Sequence, residues 1–242
     1  MKLLQLNVWG GRLESSVLGL LKKEQPDIIC LQEAVSVPRG ENVGYFGPVE
    51  TLAKELGMHL SYAPSVGFKF MHTTVESGNA VLSKQPIASE HITFTRKEYI
   101  KDFDAVSDDY NARNLLHVII DTEDGVLNVL THHGHHVQAH KNGNEETMRQ
   151  CKLIADYASK LKGKVILTGD FNLSPHSESL EQINKVLTNL SIKEKLQTTR
   201  TGLTHKTEVC DYIFVSSDVH VTSFKALDDI VSDHKALTVE FN

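Results

Sequence analysis

Short runs of apolar residues recur from one end of the chain to the other. They occupy residues 3–9, 27–32, 80–82, 115–120, 126–131, 164–168, 212–215 and 236–241, mostly Val, Ile, Leu or aromatics, several of them bounded by turn residues. Runs of this length and make-up predict buried strands. Helical spacing is rarer. Residues 14–24 carry Val17, Leu18, Leu20 and Leu21 and stop before Pro26, and residues 49–56 form a second candidate. Residues 145–161 are the longest, with Met148, Ile154, Ala155, Ala158 and Leu161 on one face, and residues 177–189 are a fourth. Many strands with a few interspersed helices predict an α+β fold of two packed sheets with helices outside. No repeat, low-complexity tract or linker divides the chain, so one domain is expected over residues 1–242. The acidic region 96–111 (Asp102, Asp104, Asp108, Asp109) and the turn at 141–144 read as long surface loops.

Polar residues interrupt the apolar runs at particular places. Asn7 ends the first, Glu33 the second and His132 the run 126–131, while Asp170 and Asn172 follow 164–168. Side chains alternate along a strand, so Asp170 and Asn172 would share a face while Phe171 turns into the core. Asp211 opens the run 212–215, and Asp233 with His234 opens the last. The end of one strand and the start of its antiparallel neighbour lie at the same sheet edge, so all these groups can converge on one rim. Singly, each is an ordinary turn or cap residue. Together, carboxylates and amides offer hard oxygens suited to Mg²⁺ or Mn²⁺. Imidazoles beside them can move a proton or stabilise charge near neutral pH.

Composition narrows the classes. Lys and Arg number 25 against 31 Asp and Glu, a net charge of −6, with 40% hydrophobic and 23% charged residues. Such a chain is globular rather than disordered, and no stretch approaches the ~18 apolar residues of a membrane span. The brief apolar start is too short for a signal-peptide core. Three cysteines (Cys30, Cys151, Cys210) without motif spacing fit a reducing compartment, so a cytoplasmic location is expected. The acidic balance argues against a dedicated nucleic-acid binder.

The ordered set Leu6-Asn7-Val8-Trp9, Asp27-Ile28-Ile29-Cys30-Leu31-Gln32-Glu33, Thr131-His132, Gly169-Asp170-Phe171-Asn172, Asp211-Tyr212-Ile213-Phe214 and Ser232-Asp233-His234 resembles the endonuclease/exonuclease/phosphatase superfamily. That group includes DNase I, abasic-site endonucleases and inositol-phosphate phosphatases. Gly78-Asn79-Ala80-Val81-Leu82-Ser83 and Arg113 resemble family elements more weakly. The resemblance runs from Asn7 to His234 and implies a DNase I-like four-layer α/β/β/α sandwich that hydrolyses phosphate esters with a metal-activated water. On that resemblance Glu33, Asn7 and Asp233 would hold Mg²⁺ (or Mn²⁺). Asp170 would act as base, with Asn172 holding that geometry or the phosphate. His234, oriented by Asp211, and His132 would stabilise phosphoryl charge, and Arg113 would grip a phosphate oxygen in a bidentate fork.

No residue aligns with the active-site tyrosine of the abasic-site enzymes, nor with the second glutamate of the DNase I-like ones. A small-molecule or lipid-head-group phosphoester is therefore the expected substrate of this phosphodiesterase or phosphatase. An endonuclease or exonuclease acting on DNA or RNA is the runner-up. His132, His133, His135, His136 and His140 crowd nine residues and raise a zinc-binding module as a third reading, against the blander one of a polar loop.

Overall fold

The computed structural model describes residues 1–37, 44 and 47–242. Two six-stranded mixed sheets lie face to face. The first has the order β11 (Val221–Ala226), β12 (Leu237–Phe241), β1 (Lys2–Asn7), β2 (Ile28–Ser36), β4 (Thr73–Ser83), β3 (His59–Phe70). The second has the order β5 (Ile87–Arg96), β6 (Arg113–Thr122), β7 (Gly125–His133), β8 (Lys164–Asp170), β10 (Asp211–Val215), β9 (Thr188–Asn189).

The apolar runs are buried on both faces, which is why they are continuous rather than alternating. Leu3, Ile28, Cys30 and Val81 meet Val118, Val129, Ile166 and Ile213 in the layer between the sheets. Their neighbours in sequence turn outward, where Leu4, Leu6, Ile29 and Leu31 pack against Val17, Leu20 and Leu21 of α1 (Glu14–Glu24) and Leu52 of α2 (Val49–Leu56). On the far side Leu130, Leu167, Tyr212 and Phe214 pack against Ile154 and Ala155 of α3 (Glu145–Ala158) and Leu180 and Ile183 of α4 (Glu178–Asn184). The result is the expected four-layer α/β/β/α sandwich. Among the described residues no helix is long and apolar enough to cross a membrane.

Several elements differ from expectation. β3, β5 and β11 carry mixed polar sequences because they lie at or next to sheet edges, where one face meets solvent. The helix expected over 177–189 ends at Asn184, and β9 and a short α5 (Leu190–Lys193) follow. Helix α3 starts at a capping box between Asn144 and Thr147 and stops at Ala158, three residues earlier than its apolar spacing suggests. Part of the 96–111 loop is tied to β3, with Gly67 N donating to Ile100 O (2.8 Å) and Phe103 N to Gly67 O (2.8 Å).

Register then places the polar strand ends together. Asn7 of β1 lies beside Gln32 of the parallel β2. Asp170, the last residue of β8, is opposite Asp211, the first of the antiparallel β10, and beside His133 of the parallel β7.

Candidate active site

Glu33 is positioned by a break in strand pairing. It does not end its strand, because β2 continues to Ser36, but the register against β4 slips between Leu31 and Ala34. At that bulge Glu33 adopts φ 52°, a left-handed conformation that swings its side chain out of the regular alternation. Asn7 Nδ2 donates to Glu33 Oε1 and to Asp170 Oδ2, both at 3.1 Å, and so ties the carboxylates of the two sheets together. The Asn7 side-chain oxygen accepts from Trp9 N at 3.0 Å. Asn7 thus turns its nitrogen to the carboxylates, and in this arrangement it spaces them rather than offering an oxygen to a cation.

Asp170 is buried, and Oδ1 accepts from Asn172 N at 2.9 Å. Burial alone would raise its pKa, but His234, His133, Arg200 and Lys141 outweigh that and hold the carboxyl far below its usual range. Asn172 does not continue the strand. It sits at φ 55°, so the turn and not strand alternation puts its side chain beside Asp170, while Phe171 enters the core. Its Oδ1 accepts from Lys141 Nζ at 2.6 Å.

Asp211 and His234 form a buried pair. His234 Nδ1–H donates to Asp211, 2.8 Å from Oδ2. Thr199 Oγ1 (2.6 Å) and Gln5 Nε2 (3.2 Å) also donate to that carboxylate. Gln5 comes from the opposite sheet, so the pair is fixed across the sandwich. The other ring nitrogen, Nε2, is 3.6 Å from Asp170 Oδ2 and 3.9 Å from Asp233 Oδ1. Burial would lower the His234 pKa, but Asp211 and Asp170 raise it well above the usual imidazole range.

The histidine expected in the site is displaced by one residue. β7 sends Val129, Thr131 and His133 toward the opposite sheet and Leu130 and His132 toward α3. His132 is therefore buried behind the site, its Nδ1–H donating to Asn114 O (2.9 Å) and its ring edge-on to Phe171. Burial, with Arg113 adding to it, pushes the His132 pKa down to about 4. His133 faces the cleft instead, Nε2 3.8 Å from Asp170 Oδ2. Burial, then Arg113, lowers its pKa well below the usual value. A Thr-His-His sequence leaves the strand register ambiguous by one, and only the alternation of the folded strand resolves it.

Arg113 likewise departs from its expected role. Its Nε donates to Gly134 O (2.8 Å), Nη1 to Tyr110 O (2.9 Å) and Ala112 O (3.1 Å), and Nη2 to Asn111 Oδ1 (3.2 Å). Four of its five N–H groups are spent bracing loops, which leaves no fork for a phosphate. The remaining histidines do not gather. His136 pairs with Tyr110 Oη (2.6 Å), His135 is buried near Asn144 and His140 is exposed. Among the described residues the one cluster of metal-capable side chains is Asp170, Cys210, Asp211 and His234, which removes the geometric basis for zinc in the histidine loop.

Within that cluster, Asp211 is already saturated and burial pushes the Cys210 thiol up to about 12, so neither is free to bind an ion. The better donors line the adjoining cleft of about 490 Å³, where Glu33, Asp170 and Asp233 border a common space beside His133, His234 and Arg200. Burial raises the Glu33 pKa, with Asp170 and Asp233 adding to it against Asn7 and His234. Crowded carboxylates of this kind are the hard-oxygen donors a Mg²⁺- or Mn²⁺-sized cation relieves, so the residues fit such an ion. Arg200, Lys141 and His133 are absent from the strand-end pattern. Arg200 and Lys141 lie in loops, where no periodicity marks them.

Comparison with known proteins agrees with this fold. A sequence profile described as "Endonuclease/Exonuclease/phosphatase family" matches residues 4–234. A search of curated proteins found no match. Among solved structures, an endonuclease/exonuclease/phosphatase family protein from Leptotrichia buccalis C-1013-b is 19% identical, with TM-score 0.72 over 100% of this chain and 99% of that one. The mannosyl-6-phosphatase of Bacteroides thetaiotaomicron VPI-5482 is 17% identical, with TM-score 0.71 over 100% and 99%. The human Nocturnin catalytic domain with bound sulfate is 18% identical, with TM-score 0.72 over 100% and 94%. At these identities the likeness is one of fold.

Proposed function

The chain belongs to the endonuclease/exonuclease/phosphatase family of hydrolytic phosphoesterases and nucleases, and on that footing we propose that it is a Mg²⁺- or Mn²⁺-dependent hydrolase of a small phosphate ester. The observation that carries this reading is the convergence of Asn7, Glu33, Asp170, Asp233 and the Asp211–His234 pair on one rim. A cleft of about 490 Å³ suits a small molecule or a head group.

Glu33 and Asp233 would hold the cation, which, when bound, lowers the pKa of a water and offsets phosphoryl charge. Asn7 keeps Glu33 and Asp170 at fixed separation. Asp170, held ionised by the surrounding cations, orients the attacking water and accepts its proton. His234 is kept cationic by Asp211 and stabilises charge on the phosphoryl oxygens. His133, held neutral, faces the cleft where the resemblance implied His132. The two imidazoles are pushed to opposite protonation states, a division that suits one to charge stabilisation and the other to proton transfer.

The deciding experiment is a substrate screen in Mg²⁺ or Mn²⁺ over sugar phosphates, inositol phosphates, nucleotides, sphingomyelin, RNA and DNA. Turnover of a small phosphoester, abolished by chelator and restored by metal, is the expected result. Steeply salt-sensitive cleavage of duplex DNA would favour a nuclease instead.

A further inference from the structure

Two cations outside the strand-end pattern border the candidate site: Arg200 lines the cleft and Lys141 holds Asn172. Arg200 is buried at the cleft wall, its Nη1 3.5 Å from Asp233 Oδ2 and its guanidinium packed against the Nε2 edge of His234. Its backbone is stitched to the Asp233 segment, with Thr201 N donating to Asp233 O (3.1 Å) and Lys235 N to Thr199 O (2.7 Å). The guanidinium Nε is buried without an acceptor, so Arg200 retains donor capacity beyond its protein contacts. Lys141, in the loop before α3, stands behind Asn172. Its bond to Asn172 Oδ1 at 2.6 Å fixes which way that carboxamide points, with Nδ2 donating to Gly134 O at 3.4 Å.

The charges facing this space do not balance as a neutral set. Among the cleft-lining residues Glu33, Asp170 and Asp233 supply three negative charges and Arg12, Arg113, Arg200 and Lys206 four positive ones, with Lys141 a further cation behind Asn172. Asp211 is matched by His234 behind them, and Glu208 on the Arg200 loop is exposed. A divalent cation on Glu33 and Asp233 then leaves a surplus of at least three positive charges. A phosphodiester brings one negative charge, whereas a phosphomonoester above its second pKa of about 6 brings two. Resting on the phosphoester-hydrolase reading, we infer that this site selects the dianionic phosphomonoester over the diester. Arg200 contacts the extra phosphoryl charge, and Lys141 is a positioning residue acting through Asn172.

The test compares p-nitrophenyl phosphate with methyl p-nitrophenyl phosphate, which share a leaving group, on the full chain with Mn²⁺. Wild type should favour the monoester in kcat/KM. Arg200→Gln and Lys141→Met should each lower monoester kcat/KM by about tenfold or more, the range of a lost charge-assisted contact, and diester kcat/KM by less than about threefold. A binding arm makes the result independent of turnover: calorimetry should show the Mn²⁺-loaded protein binding inorganic phosphate more tightly than dimethyl phosphate, and Arg200→Gln should close that gap. Thermal melts confirm folding, and Arg200→Lys serves as the milder variant. Equal binding of the two anions, a preference for the diester, or equal losses on both substrates overturns the inference. If wild type hydrolyses neither ester, the hydrolase reading falls, while the binding arm still decides the charge selection.

Discussion

His234 and Asp211 meet through Nδ1 and Oδ2 at 2.8 Å although 23 residues separate them, and Gln5 of the opposite sheet secures the carboxylate of the pair. The carboxylate dictates that Nδ1 carries a proton and that Nε2 faces Asp170. Asp211→Asn keeps the shape but removes the charge that favours imidazolium. Turnover should fall by about two orders of magnitude or more, and the Asp211→Asn/His234→Ala double variant should be little worse than His234→Ala alone, because the two act as one unit. Additive losses in steady-state kinetics would separate them.

Glu33 carries the metal prediction. Its carboxylate is raised by burial and crowded by Asp170 and Asp233, so it is costly in the metal-free fold. Glu33→Gln should abolish Mn²⁺ binding by calorimetry and nearly all turnover, while the metal-free protein melts no lower than wild type. Undiminished turnover in excess chelator would contradict the mechanism.

The two adjacent histidines should separate cleanly. His133→Ala should lower turnover by about tenfold to a hundredfold, within the lower range of acid–base catalysis, with little change in melting temperature. His132→Ala should instead be destabilising by about 2–4 kcal/mol, since it empties a buried space beside Phe171 and removes one of the hydrogen bonds to Asn114 O. Urea denaturation and kinetics on both variants distinguish the roles.

His132 also ties stability to pH. Its pKa falls from 6.5 unfolded to about 4 folded, so between those values the unfolded chain binds the extra proton. The stability this neutral ring contributes is complete above pH 6.5 and is lost as pH falls toward 4. Fully expressed, the loss is on the order of 3 kcal/mol. Denaturation between pH 7.5 and 4.5 should show a shallower decline in His132→Gln than in wild type.

Gly169 supplies the steric prediction. It holds φ 151°, and a Cβ there would lie 1.9 Å from His132 O on the neighbouring strand. Gly169→Ala must push β7 and β8 apart next to Asp170. It should cost on the order of 3 kcal/mol and also reduce turnover, which a melt and an assay together reveal.

The layers and much of the rim were legible in the sequence because buried strands are short and apolar and their polar ends stand out. Asn7, Asp170, Asp211 and His234 are readable on that ground alone. Glu33 was found for an incomplete reason, since a bulge within β2 and not the strand end aims it. His133 was hidden behind His132 by a one-residue register ambiguity, and Arg113 looked free because nothing in a sequence reveals loop carbonyls folding over it. Arg200 and Lys141 sit in irregular segments with no period to mark them, and the edge strand β3 escapes notice because its inward positions are the small residues Ser61, Ala63, Ser65 and Gly67.

The pairing of β1 with β12 has a consequence for how the molecule comes into being. Met1 and Phe241 exchange backbone hydrogen bonds, Met1 N to Phe241 O at 2.7 Å and Phe241 N to Met1 O at 2.9 Å, and Ser232 Oγ reaches Asn7 O at 2.6 Å. During synthesis at about 5–20 residues per second, Asn7 leaves the ribosome many seconds before the strand that will flank β1 exists. The first sheet must wait with an open edge, and contacts spanning more than 200 residues make its closure slow. A nascent chain halted before residue 233 would lack β12 together with Asp233 and His234, so the rim of polar strand ends is completed only when β12 docks beside β1.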